Sequence, residues 1–153
     1  MRLYLMQHGE ALDKNVNPDR PLSERGRRDV ECVSKFVASS GVQVPQIWHS
    51  EKTRARETAE VLATHVKGNA AECDSLGPDD DVAIARRFVE RANSDIALVG
   101  HLPHLSLLAA ELLHTKGKQE PVRFQRGGIV ALERNDEGAW QIRWMVVPEL
   151  LGE

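Results

Sequence analysis

The chain has 153 residues, 41% hydrophobic and 28% charged, with a formal net charge of −3. That length suits one domain, residues 1–153, with a core large enough to need neither disulfides nor a structural metal. The interspersed, near-neutral charge excludes the basic stripe of a nucleic-acid binder or a membrane-surface protein, and no run of about 20 apolar residues offers a membrane span. Cys32 and Cys73 are too few for a disulfide framework and too far apart for a zinc site. Free thiols in a cytoplasmic protein are the expectation.

In chain order, the apolar run Leu3–Met6 reads as a buried strand that ends at His8-Gly9. A polar loop with Asn15, Asn17, Pro18 and Pro21 follows. Ser23 then predicts a helix N-cap, with Val30, Val33 and Val37 on one face and Gly41 as the stop. Gln46–His49 predicts a second short strand. Ser50 is expected to cap a helix whose inner face carries Ala55, Thr58 or Ala59, Leu62 and Val66. Residues 70–73 form a weak strand, and the acidic run Asp79–Asp81 opens a helix through Phe88 to Ala92. Ile96–Val99 is the clearest buried strand, broken at Gly100-His101. Pro103 fits the first turn of a helix bearing Leu105, Leu108, Leu112 and Leu113. The tail alternates like a hairpin, Gly128–Leu132 and Trp140–Val147, turning at residues 135–138.

Alternating strands and helices with nearly continuous apolar strands predict an α/β fold: a three-layer α/β/α sandwich on a mainly parallel, mixed sheet. Ligands of such sheets bind beyond the carboxyl ends of the strands. Three strand ends deliver polar groups to that edge, namely Gln7-His8-Gly9, His49-Ser50 and Gly100-His101. Arg54, near a helix start, can add a guanidinium beside free backbone N–H groups, and Gly9 and Gly100 can let backbone approach a ligand. Together these are the parts of a phosphoryl site. His101 and His104 lack the carboxylates or the His-Glu-x-x-His pattern of a metal site, and no Gly-rich nucleotide loop is present, so neither metal nor cofactor is expected. His104 reads as a surface residue, Arg25 and Arg56 as surface ions, and His49, His65 and His114 carry no partner pattern.

These segments carry a resemblance. Met6-Gln7-His8-Gly9-Glu10-Ala11 resembles the Arg-His-Gly signature of the histidine phosphatase superfamily, whose fold is phosphoglycerate mutase-like. Ser50–Thr58 is similar to that family's second motif, a Ser followed four residues later by a phosphate-binding Arg and then a Thr. Gly100–His104 resembles the third motif, which holds a second catalytic His. Arg20–Gly26 is similar to the Arg-Pro-Leu-Ser/Thr-x-x-Gly run of short bacterial members, and the small size looks most like the SixA-type phosphohistidine phosphatases. The resemblance implies His8 as nucleophile, Arg54 as phosphate clamp and His101 as donor to phosphoryl oxygens. Gln7, Gly9 and Arg20 would complete substrate binding. The implied partner is a phosphohistidine-bearing protein or a small phosphorylated molecule.

One position departs from the pattern: Gln7 stands where the family has Arg. An amide supplies donors but neither charge nor a bidentate fork. Two readings therefore stand open, a metal-independent phosphatase working through a phosphohistidine on His8, and a non-catalytic module that binds phosphate or phosphohistidine. No general acid is evident beyond Glu10, two residues past His8.

Overall fold

The computed structural model describes residues 1–115 and 120–152. Strand β1 (Arg2–Gln7) leads through a loop to helix α1 (Glu24–Ser39), then come β2 (Gln46–His49), α2 (Thr53–Val66), β3 (Asn69–Glu72), α3 (Val82–Arg91), β4 (Ile96–Gly100) and α4 (His104–Leu112). An antiparallel pair, β5 (Ile129–Arg134) and β6 (Trp140–Val146), and a short 3-10 turn, Pro148–Leu150, complete the described elements. The six strands form one sheet in the order β3-β2-β4-β1-β5-β6. β1, β2, β3 and β4 run parallel, while β5 is antiparallel to both β1 and β6. The sheet is mixed and mainly parallel, as predicted.

Strand alternation assigns the two faces. Tyr4 and Met6 of β1, with Ala97 and Val99 of β4, meet α1 and α2 through Val30, Val33, Val37, Ala59 and Leu62. Leu3, Leu5, Ile96 and Leu98 meet α3 and α4 through Ala85, Val89, Leu105, Leu108 and Leu112. Two helices cover each face, which gives the expected three layers. The ends of the central strands β1 and β4 thus come to lie side by side, with Gln7 paired to Gly100.

Helix starts follow local chemistry at two of the predicted places. The Ser23 hydroxyl accepts from the Gly26 N–H at 3.0 Å, and the Asp81 carboxylate accepts from the Ala83 N–H at 2.9 Å. Gly41, at φ 89, lies one residue past the C-cap Ser40 of α1. Two boundary expectations need correction. Pro103 is the N-cap of α4 rather than a residue of its first turn, because the Pro103 carbonyl already accepts from the Leu107 N–H. Ser50 does not cap α2; Lys52 occupies that position without a side-chain cap bond, and the Ser50 hydroxyl is engaged across the sheet.

The loop from Ala11 to Leu22 is pinned at its base. Ala11 and Leu22 form an isolated bridge, Leu12 N–H donates to the Pro21 carbonyl at 2.9 Å, and Leu22 N–H donates to Glu57 of α2 at 2.8 Å. Within it, Arg20 is not extended, as a residue before proline is expected to be. Its φ is 48, and its N–H turns back to the Asn17 carbonyl at 3.0 Å. The guanidinium Nε–H bonds the Leu12 carbonyl at 3.1 Å, which helps hold that left-handed turn.

Candidate active site

His8 follows directly on β1 and is buried. Its backbone N–H donates to the Gly100 carbonyl at 3.1 Å, which ties it to the end of β4. The ring Nδ1 lies 2.7 Å from the Gly9 carbonyl. A carbonyl can only accept, so Nδ1 carries the proton and Nε2 keeps its lone pair. Burial pushes the imidazole pKa down to about 4, against a smaller opposing effect of the Gly9 bond; Arg54, Arg20 and Arg126 add to the depression. At neutral pH the ring is uncharged, the state a nitrogen nucleophile requires.

His101 begins the turn after β4, and its ring centroid lies 5.0 Å from that of His8. Burial lowers its pKa to about 3, helped by His8 and Arg54. Its Nε2 sits 2.6 Å from the Ser50 hydroxyl, with both residues buried. Ser50 Oγ also accepts from the Lys52 N–H at 3.3 Å. The hydroxyl proton is then free to point at Nε2, which places the proton of a neutral His101 ring on Nδ1. Among the described residues that Nδ1 has no partner.

Arg54 lies in the first turn of α2, and its buried Nε likewise lacks a partner among the described residues. Burial and the neighbouring Arg20 lower its pKa, yet a guanidinium remains charged at any working pH. Thr58 explains why Thr follows Arg54 by one turn. Its hydroxyl donates to the Arg54 carbonyl at 2.8 Å and accepts from the Gly9 N–H at 3.0 Å, tying the turn after His8 to the helix that carries Arg54. The Gly9 N–H is therefore committed to Thr58. Its missing side chain leaves room for α1, since a Cβ there would come within 2.8 Å of Val30 Cγ2 and 3.0 Å of the Gly26 carbonyl.

The Gln7 amide is buried, and its Oε1 has no partner among the described residues. Glu10 binds the Ser23 hydroxyl through Oε1 at 2.9 Å and faces Arg126 through Oε2 at 3.7 Å. Gln7, Glu10 and Arg126 share the wall of a groove of about 640 Å³ that also takes in Leu102, Phe124 and Gln125. His104, expected at the surface, is fully buried; burial lowers its pKa against the pull of Asp80, Ser75 and Asp81. The spacing of His104, Leu108 and Leu112 places it on the inward stripe of α4. Among the described residues no group of three or more His, Cys, Asp or Glu is arranged to hold a metal ion, and no helix is long and apolar enough to cross a membrane.

The structure thus brings His8, Arg54, His101, Gln7 and Gly9 to one sheet edge and sets Arg20 close enough to act on both His8 and Arg54. Arg126, in the loop before β5, escapes the sequence reading because no motif marks it, while Ser50 reads as a helix cap whose hydroxyl could touch the site, and it does so at His101.

Residues 3–77 match the family profile described as the histidine phosphatase superfamily, branch 1. An uncharacterised protein of Picosynechococcus sp. is 28% identical over 140 residues, covering 86% of this chain and 84% of that protein. The human mitochondrial serine/threonine-protein phosphatase PGAM5 is 33% identical over 67 residues, 43% of this chain, and the match spans only 23% of that relative. The solved structure of the protein histidine phosphatase SixA complexed with tungstate superposes with a TM-score of 0.86 at 23% identity, covering 99% of both chains. Residues 3–77 thus match the histidine phosphatase superfamily in sequence, and nearly the whole chain shares the fold of the SixA structure.

Proposed function

We propose that the protein is a phosphatase that removes the phosphoryl group from phosphohistidine on a protein, or from a similarly small phosphorylated group, through a covalent phosphohistidine on His8. The observation that carries the reading is the state of His8: a buried, neutral ring, its Nδ1 proton held by the Gly9 carbonyl and its Nε2 lone pair unspent, 5.0 Å from a second neutral imidazole.

In the first step the Nε2 lone pair of His8 forms a bond to phosphorus while the bond from phosphorus to the leaving nitrogen breaks. The leaving imidazole keeps that electron pair and departs neutral once its ring carries a proton. In the second step water attacks phosphorus and the bond to Nε2 breaks; one water proton stays on the departing inorganic phosphate, the other passes to solvent and balances the one the leaving imidazole took up, and His8 is restored. Arg54 and the Nδ1–H of His101 stabilise charge on the non-bridging oxygens, with Arg20 close by. The open wall at Gln7 and Glu10 suits a phosphohistidine presented by a protein surface. An imidazole leaving group makes a light demand for acid catalysis, in keeping with a Glu10 whose oxygens are already engaged. Two free cysteines fit a cytoplasmic setting.

The second reading, a phosphate-binding module without turnover, draws on Gln7. A buried amide in place of a cation withholds a charge from the transition state.

Incubation with a phosphoryl donor should give an acid-labile, base-stable adduct on His8, and a single-turnover assay on phosphohistidine should release phosphate with no loss after chelation of divalent metals. Undiminished turnover in His8→Ala would refute the mechanism, and binding without release in the unaltered protein would favour the module.

A further inference from the structure

We infer that Arg126 supplies the guanidinium that Gln7 lacks, closing on the phosphoryl oxygens from the loop before β5, with Glu10 holding it in readiness between turnovers. The inference rests on the phosphoryl-site reading above and names a binding residue that neither the motifs nor the family pattern identifies.

A dianionic phosphoryl group needs positive charge around it, and the site's two imidazoles supply none. His8 and His101 are both uncharged at neutral pH. The positive charge therefore comes from guanidinium groups and from Lys52, whose field reaches His101 rather than His8. Arg54 is one guanidinium. Arg20 is near, but its Nε–H is already bonded to the Leu12 carbonyl. The place that an Arg would fill beside His8 is taken by a neutral amide.

Arg126 is positioned to fill the gap. The next residue, Gly127, sits at φ 78, a backbone conformation that favours glycine. Its N–H donates to the carbonyls of both Gln7 and His8, at 3.0 and 3.2 Å. The loop is thus fastened to the two residues where the charge is missing. Arg126 shares a groove wall with Gln7, and its field reaches His8.

The pairing with Glu10 has the character of a rest position. Arg126 Nη2 stands 3.7 Å from Glu10 Oε2, a separation too long for a good hydrogen bond, and the two side chains are 55% and 34% exposed. An exposed, loosely aligned pair is weakly held. A phosphate dianion offers bidentate, charge-assisted bonds in exchange. Glu10 itself is anchored, through Oε1, to the Ser23 hydroxyl, so the carboxylate stays in place when the guanidinium leaves.

The test is a double-mutant cycle read by binding of inorganic phosphate, with turnover measured in parallel. Arg126→Gln in the otherwise unaltered protein should weaken phosphate binding by about tenfold or more, the loss of a charge-assisted donor pair. The same change made together with Gln7→Arg should cost less than about threefold, because the strand-end guanidinium then does the work. Gln7→Arg alone should raise turnover less than about tenfold, since the site is already supplied. Equal losses in both backgrounds, no loss in the first, or no phosphate binding by the unaltered protein would each overturn the inference. If the Gln7→Arg protein does not fold, Arg126→Lys and Arg126→Glu decide. Lysine, which keeps the charge but not the fork, should bind phosphate more tightly than Arg126→Gln and more weakly than the unaltered protein, and glutamate should abolish binding, whereas equal affinity for Arg126→Glu and the unaltered protein overturns the assignment. A cycle that behaves as expected in a protein without turnover on phosphohistidine would sink the substrate reading and leave the phosphate clamp standing.

Discussion

The Ser50 hydroxyl should matter to catalysis far more than a helix cap would. In Ser50→Ala the 2.6 Å bond to His101 Nε2 is lost at a place where both residues are buried. The ring then has two choices. It can leave Nε2 as an unpaired buried acceptor, at about 1–3 kcal/mol. Or it can move its proton to Nε2, which removes the Nδ1 donor from the phosphoryl oxygens; loss of one such donor typically costs about a hundred- to a thousandfold in rate. Because the donor acts on charge that grows in the transition state, kcat should fall about a hundredfold while KM changes by less than about threefold. Nitrogen-15 spectra of the imidazole rings give a readout that a purely structural role would not move. In the unaltered protein His101 should show a protonated Nδ1 and a bare Nε2. Turnover within about twofold of the unaltered protein, or a protonated Nε2 at the start, would refute the reasoning.

Two further outcomes follow from packing and burial. Gly26→Ala should destabilise the fold by about 3 kcal/mol or more in urea titrations, because its Cβ would lie 2.0 Å from the Glu10 carbonyl oxygen and 2.8 Å from the Glu10 nitrogen; a cost under about 1 kcal/mol would contradict that packing. The second concerns acid. His8 and His101 have folded pKa values of about 4 and about 3, below the unfolded value of 6.5. As pH falls from 6.5 towards 4 the unfolded chain takes up protons that the folded site refuses, so stability drops in that window and is unaffected by these groups above it. Between pH 7 and pH 5 each should cost at most about 2 kcal/mol. Unfolding measured at both pH values should show a smaller pH dependence in His8→Ala, and an unchanged dependence would count against a buried neutral His8.

Much of this architecture was legible because local patterns and tertiary contacts agree. Val30, Val33 and Val37 repeat at helical spacing and all three are buried; Ser23 and Asp81 cap where an N-cap is expected. The His8, Arg54 and His101 constellation could be anticipated because strand ends in parallel sheets share an edge. The departures arise where a group takes a partner other than the one its local pattern offers. The Ser50 hydroxyl bonds a ring 51 residues away instead of opening the next helix. Arg20 is turned out of the extended region by bonds to Asn17 and Leu12. Arg126 comes to Glu10 across more than a hundred residues, in a segment whose only local mark is the adjoining Gly127-Gly128.

The placement of the reacting atoms and the placement of charge follow different rules in this fold. His8 and His101 sit at the ends of the central strands β1 and β4, with Thr58 and Ser50 bonded to their surroundings. The same burial that keeps the His8 and His101 rings neutral leaves the site short of charge. The balancing charge that reaches His8 comes from Arg54 at a helix start and from Arg20 and Arg126 on two loops. On the proposed mechanism, nucleophilicity and phosphate affinity belong to separate residues, so a substitution at the strand ends should act on the chemical step and one on either loop first on binding. A site organised in this way can carry a neutral Gln7 beside its nucleophile, because the cation it lacks there can be delivered from a loop.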